Sequence, residues 1–175
     1  MRTVQRVLVP VDFSEYANQA LEYAIVLASK LGARLTLLYV IQSPPWGGVD
    51  MDVTLPHAYS QYIQHLEAES ANSMQAYLER VTAAGLEGEV AVVNGVPFHE
   101  IIETAKMQQV DLIVMGTHGR TGLQHILLGS VAEKVVHLAP CPAIPGDRGS
   151  PVTTPTSQLA FRKHGCDNTS LTGLI

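Results

Sequence analysis

Three short runs, Arg6–Val11 (RVLVPV), residues 34–40 (RLTLLYV) and residues 111–115 (DLIVM), are apolar and rich in β-branched residues. They lack the polar alternation of a strand with one wet face, so each reads as a strand buried on both sides. Helix-like segments separate them. Ser14 is placed to cap a helix over Glu15–Leu31, which stops at Gly32. Residues 57–84 carry an amphipathic pattern (Tyr62, Leu66, Ala76, Tyr77, Val81) ended by Gly85, and residues 86–93 offer a third strand. Pro97 opens a helix over residues 98–107 in which Phe98, Ile101, Ile102 and Ala105 share a face. Residues 131–138 form a last helix and residues 139–144 (APCPAI) a short fifth strand. Strand and helix alternate throughout. The expected fold is α/β: a single doubly wound five-stranded parallel sheet of order 3-2-1-4-5, Rossmann-like, with helices on both faces and right-handed crossovers.

In that order strands one and four are neighbours whose following helices leave on opposite faces, which opens a crevice at their carboxyl ends. Pro10, Val11, Asp12 and Ser14 would meet the stretch 116–130 there. Pro10 also implies a weakened ladder at that point. After Met115 the chain places Gly116, Gly119, Gly122 and Gly129 ahead of a helix. Glycine leaves backbone N–H groups bare and accepts positive φ, which is what a loop around phosphates needs. Ser130 is expected to cap the helix, with Glu133 completing an S-x-x-E box. Its hydroxyl and the first amides, Val131 included, would add donors at the positive end of the helix dipole, and Arg120 a charged fork. The bland alternative is a turn that uses glycine for geometry alone.

Gly116-Thr-His-Gly119, nine residues, then Gly129-Ser130 resembles the G-x-x-G-(x9)-G-S/T nucleotide-binding signature of the universal stress protein family. The flanks VMGTHGRTGL and GSVAEKVVHLAPCP and the N-terminal RVLVPVDFSEYANQAL are similar to that family too, and the resemblance covers residues 4–144. It implies ATP, with Mg, as the ligand, adenine near Val11 and Val40, and a nucleotide-dependent regulator of a stress response. Asp12 has two readings, a carboxylate for a ribose hydroxyl or metal and a helix-entry group that favours the dipole. The resemblance further implies a homodimer and a protein partner that it does not name. Family members usually extend the fifth strand, whereas here Ala143-Ile144 meets Pro145-Gly146, which puts the usual edge pairing in doubt.

The net charge of −5, pI near 5.7 and absence of a Lys/Arg cluster argue against a nucleic-acid partner. No apolar run is long enough for a membrane span or a signal-peptide core, and two cysteines without a C-x-x-C fit a reducing cytoplasm. There is no P-loop lysine motif, H-E-x-x-H pair or G-x-S-x-G elbow. Binding without catalysis is therefore the expectation. The alternatives are a slow ATPase or phosphoryl-transfer enzyme with a metal near Asp12, and a nucleotide-free dimeric scaffold that recruits partners. Residues 1–144 are expected to form the nucleotide-binding domain, and residues 145–175, rich in Pro, Gly, Ser and Thr, a flexible tail. The stretch 41–56 reads as a lid, or as a loop whose Trp46 caps the core.

Overall fold

The computed structural model describes residues 3–42, 55–118 and 128–146. Trp46, Gly119, Arg120 and the segment 147–175 lie outside the described residues. The elements are β1 (Arg6–Val11), α1 (Glu15–Leu31), β2 (Arg34–Ile41), α2 (Leu55–Ala83), β3 (Gly88–Asn94), α3 (Pro97–Met107), β4 (Leu112–Met115), α4 (Ser130–Leu138) and β5 (Ala143–Pro145). The five strands are parallel throughout and take the expected order β3-β2-β1-β4-β5.

Both faces of the sheet are covered, which is why its central strands carry apolar residues at consecutive positions. Val7, Val9, Val11, Leu35 and Leu37 pack under α1 and α2, meeting Leu21, Met74 and Val81. Leu8, Leu38, Ile113 and Met115 pack under α3 and α4, meeting Ile101, Ala105, Ala132 and Val135. The α1 face toward the sheet is built from Ala17, Ala20, Ala24 and Ala28, so this helix lies close to the strands.

Local signals set most boundaries. Ser14 Oγ accepts from the Ala17 amide at 3.1 Å, Gly32 ends α1 in a left-handed conformation (φ 65°), and Pro97 is the first residue of α3, where its missing N–H is harmless. Three expectations need correction. In α2 the buried stripe runs Ser70, Met74, Tyr77, Val81; Ala76 is exposed, because a residue one place off the stripe points about a quarter-turn away. Strand β3 starts at Gly88 and not at Leu86, whose N–H closes the preceding turn onto the Val81 carbonyl at 3.3 Å. Strand β5 is Ala143–Pro145, so it starts four residues later than the expected 139–144 and includes Pro145. Ile113 donates to Pro142 and Gly146 donates to Met115, so Pro142, Ile144 and Gly146 turn their backbone groups to β4. Pro145 therefore faces the open edge, where no neighbour asks for its N–H.

Cys141 packs half-buried against the α3/α4 core, and burial, with a smaller contribution from Asp111, pushes its thiol up to about 11 from 9.0. A raised folded-state pKa means that the stability contribution is present below pH 9 and is lost as pH rises toward 11. Melting temperature measured from pH 8 to 11.5 should accordingly fall less steeply in Cys141→Ala than in the wild type. Parallel curves would show that this thiol is not the alkaline trigger.

Candidate functional site

The sheet opens where β1 and β4 part. Register between β1 and β2 runs from Arg6↔Arg34 to Val11↔Tyr39, whereas between β1 and β4 it covers only Val7↔Leu112 and Leu8↔Ile113. The Asp111 amide donates to Arg6 and the Arg34 amide to Gln5, so Arg6, Leu8 and Pro10 turn their backbone groups toward β4. Pro10 has no N–H to offer there, and the ladder ends before it. The weakened ladder expected at Pro10 thus falls on the β4 side, at the switch point of the sheet.

Two close approaches bring the far sides of this opening together. A Cβ on Gly116 would lie 3.0 Å from the backbone carbon and Cβ of Tyr16, so glycine is needed there for contact with the first turn of α1. Gly129 donates to the Thr117 carbonyl at 2.7 Å, which pins the start of α4 to the exit of β4. The expected role of these glycines through positive φ is not met at either position. Gly116 is absent from the positive-φ residues, and Gly129 is extended at φ −67°, ψ 151°.

The extended Gly129 also displaces the expected capping box. Gly129 is the N-cap and Ser130 already the first helical residue, so the Ser130 hydroxyl does not cap α4. The Glu133 amide closes the first turn on the Gly129 carbonyl at 2.9 Å. Among the described residues no group accepts from the amides of Ser130, Val131 or Ala132. Among the described residues, then, three donors at the positive end of a helix dipole stand without an acceptor, the kind of group that suits an anion.

On the opposite side Asp12 follows β1 directly. Its Oδ1 accepts from the Ser14 amide at 3.0 Å and from Ser14 Oγ at 2.5 Å, and Ser14 Oγ in turn caps α1. That is the helix-entry reading of Asp12, realised through one oxygen; Oδ2 has no partner among the described residues. Val11 is buried, Pro10 half-buried, and Met115 closes β4 as a buried residue. Val40 lies one step beyond the Val11↔Tyr39 pair, half-buried against the α3/α4 core. Pro10, Val11, Asp12, Ser14, Val40, Met115, Gly116, Gly129, Ser130 and Val131 thus gather at the carboxyl end of the sheet, while Gly119 and Arg120 lie outside the described residues.

Two residues not singled out by sequence, Thr117 and Phe13, shape the same opening together with His118 of the glycine signature. Thr117, buried, supplies the carbonyl for Gly129, and its Oγ1 lies 2.9 Å from His118 Nδ1. The His118 ring sits 5.0 Å from that of Tyr16. Phe13 takes φ 62° in the turn after Asp12, a left-handed conformation that costs a non-glycine residue on the order of 1 kcal/mol. Among the described residues no group of three His, Cys, Asp or Glu side chains converges as a metal cage. No described helix is long and apolar enough to cross a membrane.

The model of the universal stress protein family matches residues 3–144. Universal stress protein MJ0531 of Methanocaldococcus jannaschii is 32% identical over 140 residues, spanning 80% of each chain. The solved structure of universal stress protein UspA from Lactobacillus plantarum superimposes with a TM-score of 0.71 at 28% identity, over 82% of this chain and 98% of that one. At 23% identity and a TM-score of 0.56, the universal stress protein of Archaeoglobus fulgidus, solved in complex with dAMP, shares the fold over 82% of this chain and 98% of its own. With the family match spanning most of the chain and the sheet order in agreement, this protein belongs to the universal stress protein family.

Proposed function

We propose that this chain binds an adenine nucleotide, ATP with Mg, in the crevice between β1 and β4, and acts as a nucleotide-dependent regulator in a stress response. The observation that carries this reading is the start of α4, where the amides of residues 130–132 are aimed out of the helix with no acceptor among the described residues. Phosphates meet those amides and the Ser130 hydroxyl, with Gly119 and Arg120 contributing from the loop. The base lies against backbone at Val11 and Val40, and Asp12 accepts a ribose hydroxyl through Oδ2. The dAMP complex of the Archaeoglobus fulgidus relative shows that a protein of this fold accommodates an adenine nucleotide.

The residues present fit a nucleotide better than a resident metal. Asp12 has one carboxylate oxygen left, so Mg would be held mainly by the phosphates and water, with Asp12 as at most one ligand. No residue is assigned a catalytic role. The working form we propose is a cytoplasmic homodimer with a protein partner, in which contact through the β5 edge is limited by Pro145.

The test is direct. Purified full-length protein is denatured and chromatographed for nucleotide carried through purification, and a second portion is stripped of nucleotide and titrated with Mg-ATP in a calorimeter. Saturable binding at one site per chain is the expected result. No heat and no carried nucleotide would overturn the reading in favour of a ligand-free scaffold.

A further inference from the structure

Phe13 is one of two described non-glycine residues at positive φ, at 62°; the other, Gln109, follows the end of α3. A phenylalanine is an unusual occupant of that conformation, which favours residues without a bulky Cβ substituent. Its surroundings explain how it is held. The ring lies 4.7 Å from that of Tyr39 on β2, tilted by 42°, and 5.7 Å from that of Tyr77 on α2, edge-on at 73°. Tyr77 is itself fixed, buried in the core and crossed by the Arg80 guanidinium 5.2 Å above its ring. Arg80 then reaches Asn18 and Glu22 of α1. The turn is thereby clamped to β2 and α2 at once.

The hydrogen bonds of Asp12 straddle this residue. Asp12 Oδ1 receives both the amide and the hydroxyl of Ser14, two residues on, so the dihedral angles of Phe13 decide whether Ser14 stands within reach of Asp12. Return of Phe13 to ordinary φ would swing the Ser14 amide away and free Asp12 to rotate.

We propose that Phe13 is a positioning residue: its ring, clamped by Tyr39 and Tyr77, holds the left-handed turn that aims Asp12 into the crevice, and so lets the site favour a nucleotide over bare polyphosphate. This deepens the function proposed above and rests on it. The phosphate half of the site, at α4, is built without Phe13, whereas the ribose half depends on it.

The experiment measures Kd for Mg-ATP and for inorganic tripolyphosphate with full-length wild type, Phe13→Val and Phe13→Gly. Valine, β-branched, opposes the left-handed turn, and glycine permits it without a ring. Phe13→Val should weaken ATP about tenfold or more, the value of one hydrogen bond to a charged group, and leave tripolyphosphate unchanged. Phe13→Gly should bind ATP more tightly than Phe13→Val even though it loses more packing. A simple core-packing role predicts the reverse ranking, which would overturn the proposal, as would equal loss of both ligands in Phe13→Val or no loss of ATP affinity. Should Phe13→Val not fold, Phe13→Ala takes its place with the same expected ranking against glycine. A wild type that binds tripolyphosphate and ATP equally would overturn the role of Phe13 alone, and one that binds neither would overturn the nucleotide reading with it.

Discussion

Gly146→Val should lower the stability of the whole domain by about 3 kcal/mol, the upper range for forcing extra atoms into a packed interior. Gly146 donates to the Met115 carbonyl at 3.0 Å, extending the pairing of β5 with β4 by one residue. A Cβ on it would lie 2.4 Å from the Cα of Ala20, 2.8 Å from the Ala20 Cβ and 3.0 Å from Val114 Cγ1. The nearest of these is helix backbone, which cannot step aside as a flexible side chain would. Either α1 lifts off the sheet or β5 detaches from β4, and each exposes buried apolar surface. Urea unfolding followed by far-ultraviolet circular dichroism reads the loss as a shift in midpoint at constant slope. An unchanged midpoint would mean that β5 leaves the sheet at little cost. The variant Ala20→Gly should recover only part of the loss in the double mutant, because the contact with the residue-20 Cα remains.

What the sequence made legible, and what it did not, divides along the range of the physics involved. The ends of α1 were readable because each is set by a residue within three or four positions: Ser14 meets the Ala17 amide, and Gly32 takes the left-handed turn. The parallel α/β class followed from the alternation of apolar runs with amphipathic segments, a pattern spread over the whole chain, whereas the order 3-2-1-4-5 was adopted as the doubly wound arrangement that opens a crevice between strands one and four. The start of α4 was misread by one residue although its local pattern, S-x-x-E, looked sound. Gly129 is tied to the Thr117 carbonyl twelve residues earlier in sequence, and that non-local bond places the extended cap residue ahead of Ser130. Gly116 was legible as a required glycine for the wrong reason, since its need comes from Tyr16, a hundred residues away. Phe13 carried no local sign at all. Its conformation is held by Tyr39 and Tyr77, which only the fold brings to it. Asp12 stood between two readings, and its two oxygens divide between them: Oδ1 serves the helix entry, and Oδ2 is the atom the proposed ligand would use.

Gly129→Arg should weaken Mg-ATP by at least about a hundredfold, to the edge of calorimetric detection, while the melting temperature stays within a few degrees of wild type, about 2 °C or less. The backbone angles at Gly129, φ −67° and ψ 151°, are those any residue adopts, so arginine enters without backbone strain. Its N–H can still donate to Thr117, and its carbonyl can still close the first turn of α4 through Glu133. What changes is the space beside the amides of residues 130–132, where a side chain would stand in place of the proposed phosphate. The arginine charge would by itself attract an anion, so a loss of affinity would have to come from obstruction, and that makes the sign of the effect informative. Ser130→Ala removes only a hydroxyl from the same place and should weaken ATP severalfold at most, about the worth of one neutral hydrogen bond. If Gly129→Arg instead binds ATP as wild type does, the phosphates lie elsewhere and the assignment of α4 fails. Membership of the family would survive that result, because it rests on the match over residues 3–144 and on the β3-β2-β1-β4-β5 sheet, neither of which depends on what the crevice holds.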